Sequence, residues 1–246
     1  MIEPTPLTRA IVRLPVVDST QRVAFALAEA GASDRTVVVA ETQTAGRGRR
    51  GRLWRDEPGT SVLTSIVVRP RLAVADLPKL SLATAVAVAE ALDTVGGIVA
   101  RLKWPNDVVV RGRKVAGILL ESRLTAEPIV VVGIGLNLNQ TEFPADLATT
   151  ATSVRLETGR RAERETALDA LLTAFDRWRA TLETRGFAAV RARWLELADT
   201  IGREVRVGSR AGVAVDLDRD GALVLRDSVD AIHHVVAGEL TRGRPH

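Results

Sequence analysis

The amino-acid sequence predicts an α/β (α+β) protein, with one large mixed-sheet domain over residues 1–199 and a small all-β module over residues 200–246. Two observations predict it. Up to about Asp199, β-branched runs of strand length alternate with long Ala/Leu helical patterns. After it, short apolar runs are punctuated by Gly208, Gly212, Gly221 and Gly238, with the turn signal Asp218-Arg219-Asp220-Gly221 between two of them. A module that small is near the lower limit for independent stability, so it is expected to pack on the large domain.

Asp18-Ser19-Thr20 is an N-cap cluster, and the helix it opens should run to Ala30 and stop at Gly31. Residues 36–41 are a β-branched strand, and residues 42–59, with Gly, Arg and little apolar periodicity, are a long loop. A strand at 61–68 is closed by Pro70, and an Ala/Leu/Val helix over 76–95 is ended by Gly96-Gly97. Strands follow at 99–104, 107–110 and 115–124, the last two joined by a tight turn at Arg111-Gly112-Arg113. Residues 129–136 are continuously apolar, so this strand should be central in its sheet. Leu168, Leu171, Leu172, Phe175, Trp178 and Leu182 recur at helical spacing, as do Phe187, Val190, Trp194 and Leu197 on a second helix. Short strands at 204–207, 212–217, 222–225 and 231–236 make the terminal module.

Composition excludes several classes. The formal net charge is only +4 among 34 basic residues, too small an excess to indicate a nucleic-acid binder. There are no cysteines, which removes disulfides and thiolate metal sites and fits a cytoplasmic chain. Residues 1–13 contain Pro4 and Pro6 and no apolar core of a signal peptide. The most apolar run, around residues 80–92, is broken by Ser81, Thr84 and Glu90 and is too short and too polar to span a bilayer.

Only three of the 34 basic residues are lysines. A Lys retained against such a bias suggests a role for a compact point charge that a planar guanidinium cannot fill. Lys79 lies in an ordinary helical pattern and reads as solvated. Lys103 precedes Trp104-Pro105-Asn106-Asp107, a turn in which Pro fixes φ and Asn and Asp can close on their own backbone. Lys114 leads an apolar strand with Gly117 three residues on, the pattern of a charge aimed into a pocket whose floor a ligand can approach. A snorkelling surface lysine reads the same pattern equally well.

Gly46-Arg47-Gly48-Arg49-Arg50-Gly51-Arg52 matches G-x-G-x-x-G in letters, but Leu53-Trp54 and another strand follow where a dinucleotide site needs a helix. No Lys-Ser/Thr follows Gly51, so it is no Walker loop. Four like charges and three glycines are costly to order, and a ligand rich in negative oxygens would order them; an RGG-like RNA contact or a solvated loop is the alternative. Gly133-Ile134-Gly135-Leu136-Asn137 again suggests close approach, with Asn137 placed to read a polar edge, or a β-bulge with an Asn turn.

Together the arginine loop with its flanks (residues 40–54), Lys103–Val108, Lys114–Glu121 and Gly133–Asn139 resemble the biotin–protein ligases in order and spacing over nearly the whole chain. The resemblance implies a catalytic domain like that of class II aminoacyl-tRNA synthetases and a C-terminal SH3-like barrel. It implies that the carboxylate of biotin attacks the α-phosphate of MgATP to give biotinyl-5′-AMP. A lysine of a biotin carboxyl carrier protein domain then takes the acyl group. By similarity, Ser19, Thr20 and Gln43 contact the ureido ring, with Gly46, Gly48 and Gly117 lining the biotin site. Arg47 and Arg49 fold over carboxylate and phosphate, and Lys114 bridges them. Arg50, Trp54, Lys103, Asn106 and Asn137 lie toward the nucleotide, and Asp107 toward Mg2+ or the arginine loop. One departure is Gln21, which stands where the family commonly has Asn and puts a longer amide at the biotin site.

Some members carry a DNA-binding domain ahead of the ligase; here Asp18-Ser19-Thr20 begins within twenty residues, so a ligase without repressor function, monomeric or weakly dimeric, is expected. Lipoate–protein ligase shares the fold and reaction type but not this arginine loop. An RNA binder using residues 47–55 would leave Lys103 and Lys114 unexplained and has few aromatics for stacking.

Overall fold

The computed structural model describes residues 9–125 and 127–242; Pro4, Pro6 and the extreme ends of both expected domains lie outside the described residues. Seven strands form the first sheet: β1 (Ile11–Val17), β2 (Val37–Gln43), β3 (Ser61–Val68), β4 (Arg101–Lys103), β5 (Asp107–Val110), β6 (Arg113–Arg123) and β7 (Ile129–Asn137). Their order is β1-β2-β3-β7-β6-β5-β4, which puts the continuously apolar β7 in the middle. The sheet is mixed, as expected: β1 and β2 run parallel and every other pair is antiparallel.

Strand β1 is not legible in the sequence, because Pro15 and Arg13 interrupt its apolar pattern. Its position explains the proline. β1 pairs on one side only, at the sheet edge, and its register with β2 skips Pro15 between Leu14↔Ala40 and Val16↔Thr42. The helix α1 (Thr20–Glu29) and the pair α4 (Arg164–Arg185) and α5 (Phe187–Leu197) lie where periodicity puts them. α2 (Lys79–Gly96) starts three residues later than the pattern, after a separate 3-10 turn at Val74–Asp76, and Gly97 ends it in the left-handed conformation (φ 62°). A short helix, α3 (Val154–Thr158), capped by the Ser153 hydroxyl, carries too few turns to show a period.

Helices pack on both faces of the sheet. Val62, Ile66 and Val68 of β3 and Val130, Val132 and Ile134 of β7 pack with α2, α4 and α5 in the main core. On the other face Val38, Val67, Ile129 and Val131 pack under α1. α1 covers only one end of that face, and the uncovered remainder holds the site.

The terminal strands β8 (Glu204–Val207), β9 (Arg210–Leu217), β10 (Leu223–Arg226), β11 (Ile232–Val235) and β12 (Leu240–Arg242) form a second sheet in the order β11-β10-β9-β8-β12. β12, three residues long, gave no pattern to read. The core of this sheet is continuous with that of the large one. Polar contacts close the seam: the Trp104 backbone N–H donates to Thr200 Oγ1 at 3.0 Å, its indole Nε1 donates to Gly221 O at 3.3 Å, and Asp199 N donates to Leu102 O at 2.8 Å. Lys79 corrects the sequence reading. It is not solvated but only 7% exposed, its Nζ donating to Asp76 Oδ1 at 2.7 Å and lying 5.4 Å from the Phe187 ring centre. A helical pattern does not record that the turn after β9 closes over this residue.

Candidate functional site

The site is a trough that alternation and glycine cut into the sheet. Along β7 the side chains on the α1 face are Ile129, Val131, Gly133, Gly135 and Asn137, so the packing under α1 stops abruptly at two positions without side chains. Across the sheet, Gly117 of β6 pairs with Gly135, and Ser65 of β3 pairs with Gly133. A Cβ on Gly135 would collide with the Trp54 indole, and one on Gly117 would lie 2.8 Å from Lys114 Nζ. Trp54 and Lys114 therefore rest on bare backbone. The cavity left at this end is about 50 Å³, well below the ~300 Å³ of an ordinary ligand pocket. Most of the trough is filled by Trp54, whose buried indole N–H meets no acceptor among the described residues. A ligand here must move that ring.

One end of the trough is polar. The N-terminus of α1 brings Ser19, Thr20 and Gln21 together, all at most 4% exposed, and β2 and β3 add Gln43 and Ser65. Ser19 holds the N-cap position, but its side chain makes no capping bond, and Asp18 Oδ1 accepts from its N–H instead. Gln43 Oε1 accepts from Thr20 N at 2.8 Å. Gln21 is absorbed by the protein: Nε2 donates to Leu119 O and Val131 O at 3.2 and 3.1 Å, and Oε1 accepts from Ser65 Oγ at 3.1 Å. Both its N–H bonds are spent, so it has no donor left for a ligand.

The other end is cationic. Lys114 Nζ sits 2.6 Å from Asp107 Oδ1 and 5.6 Å from the Trp54 ring centre. Its backbone is tied by Lys114 N to Thr150 O (2.7 Å) and Thr152 N to Lys114 O (2.8 Å). The arginine loop is folded rather than splayed by self-repulsion. Trp54 N to Gly46 O (2.9 Å) and Gly48 N to Arg52 O (2.7 Å) close it on itself, with Arg50 and Gly51 taking positive φ at the tip. Three of its four arginines have their own partners. Arg47 chelates Glu121 at 2.8 and 3.2 Å, Arg49 donates to Asn106 Oδ1 at 3.0 Å, and Arg52 pairs with Glu239 of the second sheet. Burial, then the neighbouring Arg50, lowers the Arg49 pKa, against Asp107 and Glu239. Arg52 holds the Glu239 carboxyl below its ordinary value.

A wider cleft of about 880 Å³ opens beyond Lys114. Lys103, Asn106 and Asp107 line one wall, Arg50 and Arg52 another, and Glu142, Phe143 and Leu147 a third. Asn137 reaches it from the end of β7, with Nδ2 donating to Thr152 O at 3.1 Å. Asp56 also lines it, and burial raises its carboxyl pKa despite hydrogen bonds from Thr42 Oγ1 and Gln43 N. Chemically, the arrangement can hold a polar ring at one end and bring two anions together at the other.

Of the residues singled out from sequence, Ser19, Thr20, Gln21, Gln43, Arg47, Gly48, Arg49, Trp54, Asn106, Lys114 and Gly117 line the narrow trough, and Arg50, Lys103, Asp107 and Asn137 line the wider cleft. Gly46 lines neither; it closes the loop, where a Cβ would lie 2.6 Å from Trp54 O. Sequence reasoning missed Thr64 and Ser65, whose signal was two hydroxyls in a strand with every residue buried. It also missed Asp56, Phe143 and Glu239, which carry no local signal.

Comparisons with known proteins agree on one family. Residues 14–139 match the biotin/lipoate A/B protein ligase family, and residues 200–240 match the biotin protein ligase C-terminal domain. The chain is 40% identical to the biotin–[acetyl-CoA-carboxylase] ligase of Paracoccus denitrificans, over 85% of this chain and 91% of that protein. It is 34% identical to the bifunctional ligase/repressor BirA of Bacillus subtilis, over 93% of this chain and 72% of that protein. Its structure is similar to the biotin protein ligase of Aquifex aeolicus in complex with biotin and ATP, with a TM-score of 0.85, 30% identity, and coverage of 95% of this chain and 99% of that one.

Proposed function

Since the chain belongs to the biotin/lipoate A/B protein ligase family, we propose that it activates biotin with ATP and transfers the biotinyl group to a specific lysine of a biotin carboxyl carrier protein domain. The observation that carries the reading is the convergence of Lys114, Arg47 and Arg49 on a glycine-floored trough whose far end is polar. A ureido ring, with N–H and C=O at its rim, suits the end built by Ser19, Thr20, Gln43 and Ser65. The apolar dithiolane of a lipoyl group would leave those groups unpaired, which favours biotin over lipoate.

In the first step a carboxylate oxygen attacks the α-phosphorus, and the bond to the β-phosphate breaks with release of pyrophosphate. Two anions must meet, so the enzyme's part is charge stabilisation and positioning. Lys114 offers a point charge between them, held in aim by its strand and by Asp107. Arg49, held by Asn106, and Arg47 reach the same region. Arg50, Lys103 and Asn137 line the larger cleft that the nucleotide would occupy, and Trp54 forms the wall between the two ligands. In the second step the carrier lysine attacks the acyl carbon, an amide forms, and AMP leaves while the amine gives up a proton.

No group of three His, Cys, Asp or Glu side chains able to hold a metal exists among the described residues. Asp107 is a single carboxylate already paired with Lys114, which fits a Mg2+ carried in by the triphosphate rather than a resident one. We assign residues 1–199 to a class II synthetase-like catalytic domain and residues 200–246 to an SH3-like domain, a division supported by the separate match over 200–240. The proposed partner is a carrier domain and neither DNA nor a membrane, with the enzyme acting in the cytoplasm as a monomer or weak homodimer. No helix among the described residues is long and apolar enough to cross a membrane. Biotin-dependent exchange of labelled pyrophosphate into ATP tests the reading; exchange driven by lipoate and not by biotin would overturn it.

A further inference from the structure

Gln21 is buried, sits beside the ligand pocket, and makes three hydrogen bonds, none of which the chemistry above uses. Its amide has one allowed orientation. Nε2 lies against two backbone carbonyls, Leu119 O and Val131 O. Those oxygens only accept, so reversing the amide would set oxygen against oxygen twice over. Oε1 is therefore the atom that faces Ser65, and the bare backbone of Gly133 gives it room, since a Cβ there would strike it. An amide oxygen also only accepts. The single hydrogen of the Ser65 hydroxyl is thus committed to Gln21, across 3.1 Å.

That commitment propagates. Ser65 Oγ and Thr20 Oγ1 are 2.8 Å apart, and either could donate in isolation. With its hydrogen used, Ser65 can only accept, so the Thr20 hydroxyl hydrogen turns inward to Ser65, with Gln43 Oε1 at 3.1 Å as its other internal acceptor. Thr20 Oγ1 then shows lone pairs, not a hydrogen, to the pocket. Gln43 is fixed independently: the Thr20 backbone N–H can only donate, so Oε1 faces it and Nε2 is left to donate to a ligand.

We propose that Gln21 is a positioning residue that sets the hydrogen-bond polarity of the pocket through Ser65 and Thr20. The pocket is thereby held as an acceptor beside a donor. Its complement is a ring in which an N–H adjoins a C=O. This inference rests on the biotin reading and deepens it: the device selects the ureido N–H against ring atoms that only accept.

The test compares biotin with the two cyclic carbamates in which one or the other ring N–H is replaced by oxygen. Binding is measured by calorimetry on the full chain, as wild type, Gln21→Met, Ser65→Ala and the double variant. Wild type should reject at least one carbamate by about a hundredfold or more, because a buried acceptor would face an acceptor. Ser65→Ala removes the nearer of the two internal acceptors of the Thr20 hydrogen, and Gln21→Met lets the Ser65 hydrogen turn toward Thr20 instead. Each leaves Gln43 Oε1 as the one assured internal acceptor, loosens the hold on that hydrogen, and should narrow the discrimination by about tenfold. The double variant should narrow it no further, since both changes cut one chain. If either single variant weakens biotin and carbamate by equal factors, Gln21 is merely structural and the proposal fails. It also fails if the narrowing is additive. Ser65→Ala, the smaller change, keeps the test open should Gln21→Met not fold. Wild type that binds no biotin would overturn the functional reading itself, a result distinct from either.

Discussion

Replacing Lys114 by alanine should reduce adenylate formation at least a hundredfold while the protein stays folded. The side chain is about a third exposed and contributes little core, whereas its backbone is held by Thr150 and Thr152 whatever the side chain. Two effects add. Losing a charge-assisted contact made chiefly in the transition state costs about 3 kcal/mol, roughly a hundredfold in rate. The change also strips Asp107 of the cation 2.6 Å away, leaving a bare carboxylate beside the incoming phosphate. Two like charges about 4 Å apart repel by ~4 kcal/mol at an effective dielectric of ~20, before solvent screening reduces it. Lys114→Arg should fail too. The Lys114 ammonium meets Asp107 Oδ1 at 2.6 Å as a single point of charge, a geometry that a longer, planar guanidinium does not reproduce. The assay is biotin-dependent pyrophosphate exchange, with circular dichroism as the folding control. Wild-type exchange by Lys114→Arg would refute the argument that this chain keeps lysine here for its shape.

Three further outcomes are expected. Trypsin should cut the loop at residues 47–52 readily without ligand and slowly with biotin and ATP, because its half-exposed pairs with Glu121 and Glu239 are each worth ~1 kcal/mol or less; equal cleavage in both conditions counts against ligand-driven ordering. Asp56 carries a raised pKa, so between its unfolded and folded values the native state holds the extra proton and stability falls as pH rises; Asp56→Asn should remove that slope from the pH dependence of Tm, and an unchanged slope would place its origin elsewhere. Salt should slow transfer to the carrier more than adenylate formation, since only docking depends on long-range attraction between two macromolecules; parallel decline of the two rates would locate the effect in the active site.

Most of the architecture was legible where a segment's burial is uniform along its own length. Ser61–Val68 is buried along its whole length and β7 is mostly apolar and buried, and helices α4 and α5 show a clean stripe. What escaped was set by neighbours distant in sequence. Pro15 hides a strand that is tolerable only at an edge, and Lys79 looks solvated until the turn after β9 closes over it. In the site, Lys103 and Lys114 stood out by rarity and the glycines by their spacing. The role of Gly133, room for the Gln21 amide, needed three strands and a helix placed together.

Trp104 joins the two sheets, and that has a consequence in time. Its indole and backbone N–H groups are bonded to Gly221 and Thr200, while two residues on, Asn106 holds Arg49. During synthesis the arginine loop and both site lysines emerge well before β8 to β12. A nascent chain that has completed the first sheet still lacks the acceptors for Trp104 and the Glu239 partner of Arg52. Asn106, tied to Ile118 within the first sheet, can already hold Arg49, whereas Arg52 and the Trp104 seam wait for the last strands to dock. The site is thus assembled in two stages: the sheet residues settle first, and the tip of the arginine loop gains its Glu239 partner only with the second sheet.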